Sequence, residues 1–110
     1  MDITFKTPKM EKVFNSDKEL QREYGKQAEV IKRRMAVLRA ATALDRVSHL
    51  PPERCHELNP LGQGNYAVDL KHPWRLLFVV ANQPAPKKED GGVDKAKVTA
   101  IVIVAVEDYH

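Results

Sequence analysis

The stretch Val98-Thr99-Ala100-Ile101-Val102-Ile103-Val104-Ala105-Val106, followed by Glu107-Asp108-Tyr109-His110, decides how this chain is read. A β-branched run of this length falls well short of the roughly 20 apolar residues a membrane-spanning helix needs. It reads instead as a strand buried on both faces. Three groups able to do acid/base chemistry, on Asp108, Tyr109 and His110, then follow on a rigid element where the chain leaves the core. In an extended backbone Tyr109 and His110 point to opposite sides of the sheet, so one can face a groove while the other lines its rim or packs beneath it. Polar and ragged chain ends are common, and composition alone favours that plainer reading. The rest of the chain shifts the balance.

Working outward, the next apolar run upstream is Trp74-Arg75-Leu76-Leu77-Phe78-Val79-Val80, preceded by Asn65-Tyr66-Ala67-Val68-Asp69-Leu70. Only Lys71, His72 and Pro73 separate the two, a spacing that predicts a tight antiparallel hairpin. Residues 82–97 hold Pro84, Pro86, Lys87, Lys88, Gly91 and Gly92. So polar an insert is expected to be a mobile hairpin tip or a disordered loop with little to bury.

Towards the N-terminus the period changes. Ser16-Asp17-Lys18-Glu19 has capping-box spacing and predicts a helix through Tyr24, with Gly25 as the residue that ends it. Ala28, Ile31, Met35, Leu38, Ala41 and Leu44 advance by three and four, which predicts a second helix over 26–47. Lys32, Arg33, Arg34 and Arg39 lie off that stripe. Pro51-Pro52 closes the helical region, and turn residues fill the loop through Gly62-Gln63-Gly64. Residues 2–6 alternate, with Ile3 and Phe5 on one face, as a short strand that Pro8 ends. Strand, two helices, then three strands make an α+β domain with a mainly antiparallel sheet. The 110 residues suit a single domain with 82–97 as an insert.

Composition excludes several classes. Eighteen Lys and Arg against 15 Asp and Glu leave a net charge of +3, compatible with a polyanionic partner without requiring one. The single cysteine, Cys55, rules out an internal disulfide and argues against a structural zinc site. Met1-Asp2-Ile3-Thr4-Phe5-Lys6 lacks the apolar core of a signal peptide, so the expected compartment is the cytoplasm, with no membrane association.

Several segments, taken in order, form a pattern: Leu58-Asn59-Pro60-Leu61, then Asn65-Tyr66-Ala67-Val68, then Trp74-Arg75-Leu76-Leu77-Phe78, then Val106-Glu107-Asp108-Tyr109-His110. This pattern resembles the HigB ("killer protein") branch of the RelE/ParE toxin superfamily. That branch carries a Leu-His-Pro-Leu-like loop, a Trp-Arg-Ile/Leu-x-Phe strand and a terminal Asp-Tyr-His, and element order and lengths also fit. The resemblance implies a RelE-like fold and the toxin of a type II toxin–antitoxin pair. It implies a metal-independent endoribonuclease that cuts mRNA in the ribosomal A site, needs no cofactor, and is held inactive by an antitoxin, expected to be a helix-turn-helix protein.

Cleaving RNA through its own 2′-hydroxyl requires a proton acceptor, a cation for the phosphate and a donor for the leaving 5′-oxygen. By the resemblance Arg75 clamps the phosphate with its forked donors, His110 and Tyr109 supply acid/base chemistry or base stacking, and Asp108 orients one of them or touches the mRNA. Lys71 and His72 in the hairpin turn, and Lys32, Arg33 and Arg34 on the helix, are the candidate RNA contacts. Each has a plainer alternative. Arg75 can pair with Asp69, Trp74 can be core, Tyr66 can be cross-strand packing, and Lys32, Arg33 and Arg34 can form a solvated helix face. The chain also departs from the family, with Asn59 in place of a histidine, Gly62 in place of a lysine and Asp69 where a basic residue is common. Lys71 or His72 are positioned in sequence to compensate. The competing function is a non-enzymatic module on the same fold, either an inactive antitoxin-binding relative or a gyrase-type protein poison. Gyrase-directed relatives lack the terminal Asp-Tyr-His, which this chain keeps.

Overall fold

A computed structural model describes residues 1–58 and 64–108. In chain order the elements are β1 (Asp2–Phe5), α1 (Pro8–Phe14), α2 (Asp17–Tyr24), α3 (Ala28–Ala40), β2 (His56–Glu57), β3 (Asn65–Asp69), β4 (Trp74–Val80) and β5 (Ala100–Asp108). The sheet order is β1-β5-β4-β3-β2. Neighbours from β5 to β2 run antiparallel, and β1 lies parallel to β5 at one edge. The architecture is an α+β domain with helices on a five-stranded mixed sheet, and the three C-terminal strands pair consecutively as their sequence predicts.

The helical region differs from expectation at both ends. Pro8 does not merely end a strand. It is the first residue of a helix capped by Thr7, whose Oγ1 accepts from the Met10 amide at 3.1 Å. Proline suits that position because its missing N–H has no partner there in any helix. Ser16 caps α2 as predicted, its Oγ accepting from the Glu19 amide at 3.2 Å. The reciprocal half of the box does not form, since the Ser16 amide donates to Val13 O. Gly25, at φ +51°, ends α2, and a 3-10 turn over Gly25–Gln27 leads into α3.

The second helix stops at Ala40 rather than 47. Beyond it the Leu44 amide donates to Val98 O at 3.0 Å, and a 3-10 turn over Leu44–Arg46 drops Leu44 into the core. A tertiary hydrogen bond has replaced a helical one, although the apolar spacing continues. The carbonyls of Leu38, Arg39 and Ala41 at this helix end accept from the Met1 amino group.

One core cluster joins Val13, Phe14 and Leu20 with Ala28, Ile31, Met35 and Leu38 of α3 and with Tyr66, Val68, Leu76, Phe78, Ile101 and Ile103 of the sheet. Tyr66 stacks on Phe78 with ring centroids 5.9 Å apart, the cross-strand packing expected of it. The helices therefore cover one face only. On the other face Leu58, Ala67 and Leu77 are buried, with Val104 and Ala105 packed against them and half-buried. The strand expected to be buried on both faces is fully buried on alternate residues instead.

The register between β4 and β5 slips by one residue. Leu77 faces Ala105 but Phe78 faces Ile103, so Val104 is an extra residue in β5. Such a bulge inverts the side-chain alternation downstream. It sends Val106 to the helical face beside Leu76 and sets Glu107 opposite Arg75 and Asp108 opposite Trp74.

The polar segment 82–97 also packs more than its composition predicts. Asn82 Oδ1 accepts from the amides of Thr99 and Ala100. Lys87 and Val93 form a β-bridge, and the Val93 side chain joins the main core at 8% exposure. Among the described residues no helix is long and apolar enough to cross a membrane.

Candidate functional site

Arg75 and Asp69 are directly opposite in the antiparallel β3–β4 register, next to the turn that joins the strands. They project from the sheet face opposite the helices, together with Leu77 and Ala67. Asp69 holds two cations. Its Oδ2 lies 3.3 Å from Arg54 Nη1, and its Oδ1 lies 3.7 Å from Arg75 Nε. Arg54, Asp69, Leu70, His72, Pro73, Trp74 and Arg75 line one surface pocket at this end of the sheet.

The walls of the pocket are tied down through the main chain. The Asp69 amide donates to Glu53 O at 2.8 Å, which brings residues 52–54 alongside the end of β3. Arg34 reaches the same place from α3. Its Nε donates to Asp69 O at 2.6 Å, Nη2 donates to Pro52 O at 3.2 Å, and Nη1 lies 4.0 Å from a Glu53 carboxylate oxygen. The hairpin turn is fastened by Gln27, whose side-chain amide accepts from Lys71 N–H at 2.9 Å and donates to Lys71 O at 3.2 Å. His56 Nδ1 sits 2.6 Å from Arg54 O, a geometry in which that nitrogen must carry the proton and donate.

The expected site residues do not all fall together. Arg75 and His72 line the pocket, and Lys71 is exposed on the adjoining turn. Asp108 stands opposite Trp74, so β5 delivers the chain to the same end of the sheet. Tyr109 and His110, like Asn59 and Gly62 of the loop, lie outside the described residues.

Lys32 and Arg33 belong to a different surface. They stand on α3 in the helical layer, where Lys32 pairs with Glu29 at 3.2 Å and Asp17 at 3.4 Å. The hydrogen bond to Glu29, then the nearby Asp17 charge, push the Lys32 pKa upward. Arg34 departs from the solvated face expected of it. At 8% exposure it is buried, with its donors directed at main-chain carbonyls, because its position on α3 faces the end of β3.

No family model, curated protein or solved structure matches the chain. The site is therefore defined by its own geometry.

That geometry suits an oxyanion. Two guanidinium groups converge on one carboxylate in the wall of a pocket that His72 and Trp74 also line. Arginine forks match the oxygen pairs of carboxylates and phosphates. Reading the sequence alone misses Arg54, which lies in a Pro-rich segment with no periodic signal. Its one local peculiarity is a φ of +45°, a conformation that sequence does not announce for arginine. Among the described residues no three His, Cys, Asp or Glu side chains gather as a metal-binding group.

Proposed function

We propose that this protein is a HigB-like toxin of the RelE/ParE superfamily, a ribosome-dependent mRNA endoribonuclease neutralised by a helix-turn-helix antitoxin and acting in the cytoplasm. The observation that carries the reading is the pocket at one end of the sheet: Arg75, Arg54 and His72 line it together with Trp74, and β5 ends beside it with Asp108 opposite Trp74, on the face away from Arg75. The motif residues that the resemblance singles out on β4 and β5 are far apart in sequence and adjacent in the sheet.

In this reading Arg75 binds the scissile phosphate and stabilises the charge that builds on its oxygens as the neighbouring 2′-hydroxyl attacks. His110 or Tyr109 accepts the hydroxyl proton or protonates the departing 5′-oxygen, and each contributes about 10²–10⁴-fold if it acts as a general acid or base. Asp108 orients one of that pair. Lys71 and His72 reach flanking phosphates from the turn. Lys32 and Arg33, on the helical layer, are the candidates for ribosomal RNA.

The test is direct. Purified protein added to translating ribosomes should cut the mRNA within its coding region, while naked mRNA should stay intact. Intact mRNA in the translating reaction would remove the nuclease reading.

One observation favours the competing reading of a non-enzymatic module. Asp69 already faces both arginines of the pocket, where the family commonly carries a basic residue. A toxin-fold protein that binds its antitoxin or another protein without cutting RNA would tolerate that neutralisation. Growth arrest with uncut mRNA would select this second reading.

A further inference from the structure

Asp69 is held in an unusual way. Its Oδ1 is buried and accepts no hydrogen bond among the described residues, although Arg75 Nε stands 3.7 Å away. A buried carboxylate oxygen without a donor is costly, because its lost hydration is not replaced. The other oxygen contacts Arg54 Nη1 at 3.3 Å, and the Arg54 side chain is about half exposed. Arg54 itself stands at φ +45°, in the left-handed region that non-glycine residues seldom occupy. Strain of this kind persists where the surroundings over-determine a residue, and it gathers at binding sites. Here the surroundings are visible: the Arg54 amide donates to Leu50 O, its carbonyl faces His56 Nδ1, and the neighbouring Glu53 carbonyl accepts from Asp69 N–H.

The two oxygens of one carboxylate thus sit where two guanidinium groups converge, which is also how two non-bridging oxygens of a phosphate are held. The carboxylate fills that place imperfectly. A backbone phosphate carries its two non-bridging oxygens on a tetrahedral phosphorus, is not tethered to β3, and can accept from both forks at once.

We propose that Arg54 and Arg75 form a single site for a backbone phosphate of single-stranded nucleic acid, and that Asp69 is its built-in counter-anion, given up when the phosphate enters. The inference rests on Arg75 as an anion clamp and does not depend on cleavage. It assigns Arg54 a contact with the ligand, and it gives Asp69 a negative role in affinity. In the empty protein the carboxylate keeps two converging cations from repelling each other. On binding, the guanidinium groups exchange one anion for another.

Binding is measured by fluorescence anisotropy with a short labelled oligothymidylate, whose 2′-deoxy sugars prevent self-cleavage. Asp69→Asn should tighten binding about five- to tenfold, the effect of removing one charge at about 4 Å in a largely aqueous setting. Arg54→Gln should weaken it, and should lower the slope of log affinity against log salt by about 0.7, one phosphate contact to a single strand. Inorganic phosphate should compete poorly on a per-phosphate basis.

Each of several outcomes overturns the proposal. They are unchanged or weaker binding in Asp69→Asn, no measurable binding by that variant even at low salt, failure of that variant to fold by circular dichroism, and an unaltered salt slope in Arg54→Gln. Unfolding would make Asp69 a structural strut. Displacement by inorganic phosphate as effective as by the oligonucleotide would reassign the site to the free ion and overturn the backbone reading. Because the probe cannot be cut, the binding result stands apart from the ribosome assay. Intact mRNA with the expected affinities would reject the nuclease and keep the phosphate site.

Discussion

Arg34 on α3 and Asp69 on β3 are joined through the main chain, with the Arg34 Nε donating to the Asp69 carbonyl at 2.6 Å. The same guanidinium donates to Pro52 O and lies beside Glu53, so one buried side chain fastens the helix layer, the 52–54 segment and the end of β3. Truncation to Arg34→Ala leaves these carbonyls and the Glu53 carboxylate without their partner. We expect a loss of about 2–4 kcal/mol, read as a lower urea midpoint with an unchanged m-value. Arg34→Lys should recover little, because an ammonium cannot span the two carbonyl directions that the planar fork meets. A loss under about 0.5 kcal/mol, the scale of an ordinary surface substitution, would contradict the strut.

Arg75→Ala and His110→Ala should each abolish growth arrest in cells if the endonuclease reading holds. The expected fall for one acid/base group is about 10²–10⁴ in rate. Arg75→Lys should restore arrest poorly, since a single ammonium lacks the forked geometry. Thermal stability and antitoxin capture should change little in His110→Ala. Full toxicity of that variant would reject the assigned role.

The 82–97 segment separates into a dispensable part and an anchoring part. Removing the exposed tip 88–91 should leave stability nearly unchanged, because shortening a surface loop alters closure entropy by only about 0.6 kcal/mol per halving. Val93→Ala should cost about 1–2 kcal/mol by emptying a core position. Asn82→Ala should add a similar loss by releasing the Thr99 and Ala100 amides that enter β5. Replacing the whole segment by a two-residue Asn-Gly turn should therefore destabilise the domain. An unchanged melting temperature would show that the anchors carry nothing.

Burial pushes the Cys55 thiol from its ordinary 9.0 up to about 11, against a smaller opposing pull from Lys95. Burial, then the Glu57 and Cys55 charges, pushes the Tyr66 phenol from 10.0 up to about 12. Both groups ionise more readily in the unfolded chain, so the unfolded state loses protons first as pH rises. The contribution of these two groups should be constant below about pH 8 and be lost between about pH 9 and 12. Each group contributes about 1.4 kcal/mol to that decline for every tenfold difference in its acidity between the folded and unfolded chain. Cys55→Ala should flatten the lower part of the decline in pH-dependent urea unfolding. The same burial makes Cys55 a slow target for thiol reagents at neutral pH, with labelling limited by local or global opening. Labelling of the folded protein within seconds at neutral pH would contradict its placement.

The pattern of the strands is legible because a half-buried sheet writes its period directly into the sequence. Tyr66, Val68, Leu76, Phe78, Ile101 and Ile103 all face the helices, and the spacing of the three runs sets their pairing order. The Thr7-Pro8 helix start is written just as plainly, as a capping residue followed by proline, but Pro8 also ends a strand pattern and the two signals compete. Helix α3 is readable as far as its local signal reaches. Its end is not, since the Leu44 amide chooses Val98 O, more than fifty residues away in sequence, over a local carbonyl.

Sequence alone determined which residues could form helix, strand and core, because periodicity and caps are local properties of the backbone. It also marked Arg75, His72 and Asp108 as chemically interesting. Only the tertiary structure decided that Arg54 joins Arg75 around Asp69, that Arg34 is a buried strut, and that the bulge at Val104 sets the phase of Glu107 and Asp108. The physical reason is common to all three. Long polar side chains and register slips respond to partners brought together by the fold, and no spacing along the chain encodes where a guanidinium will end.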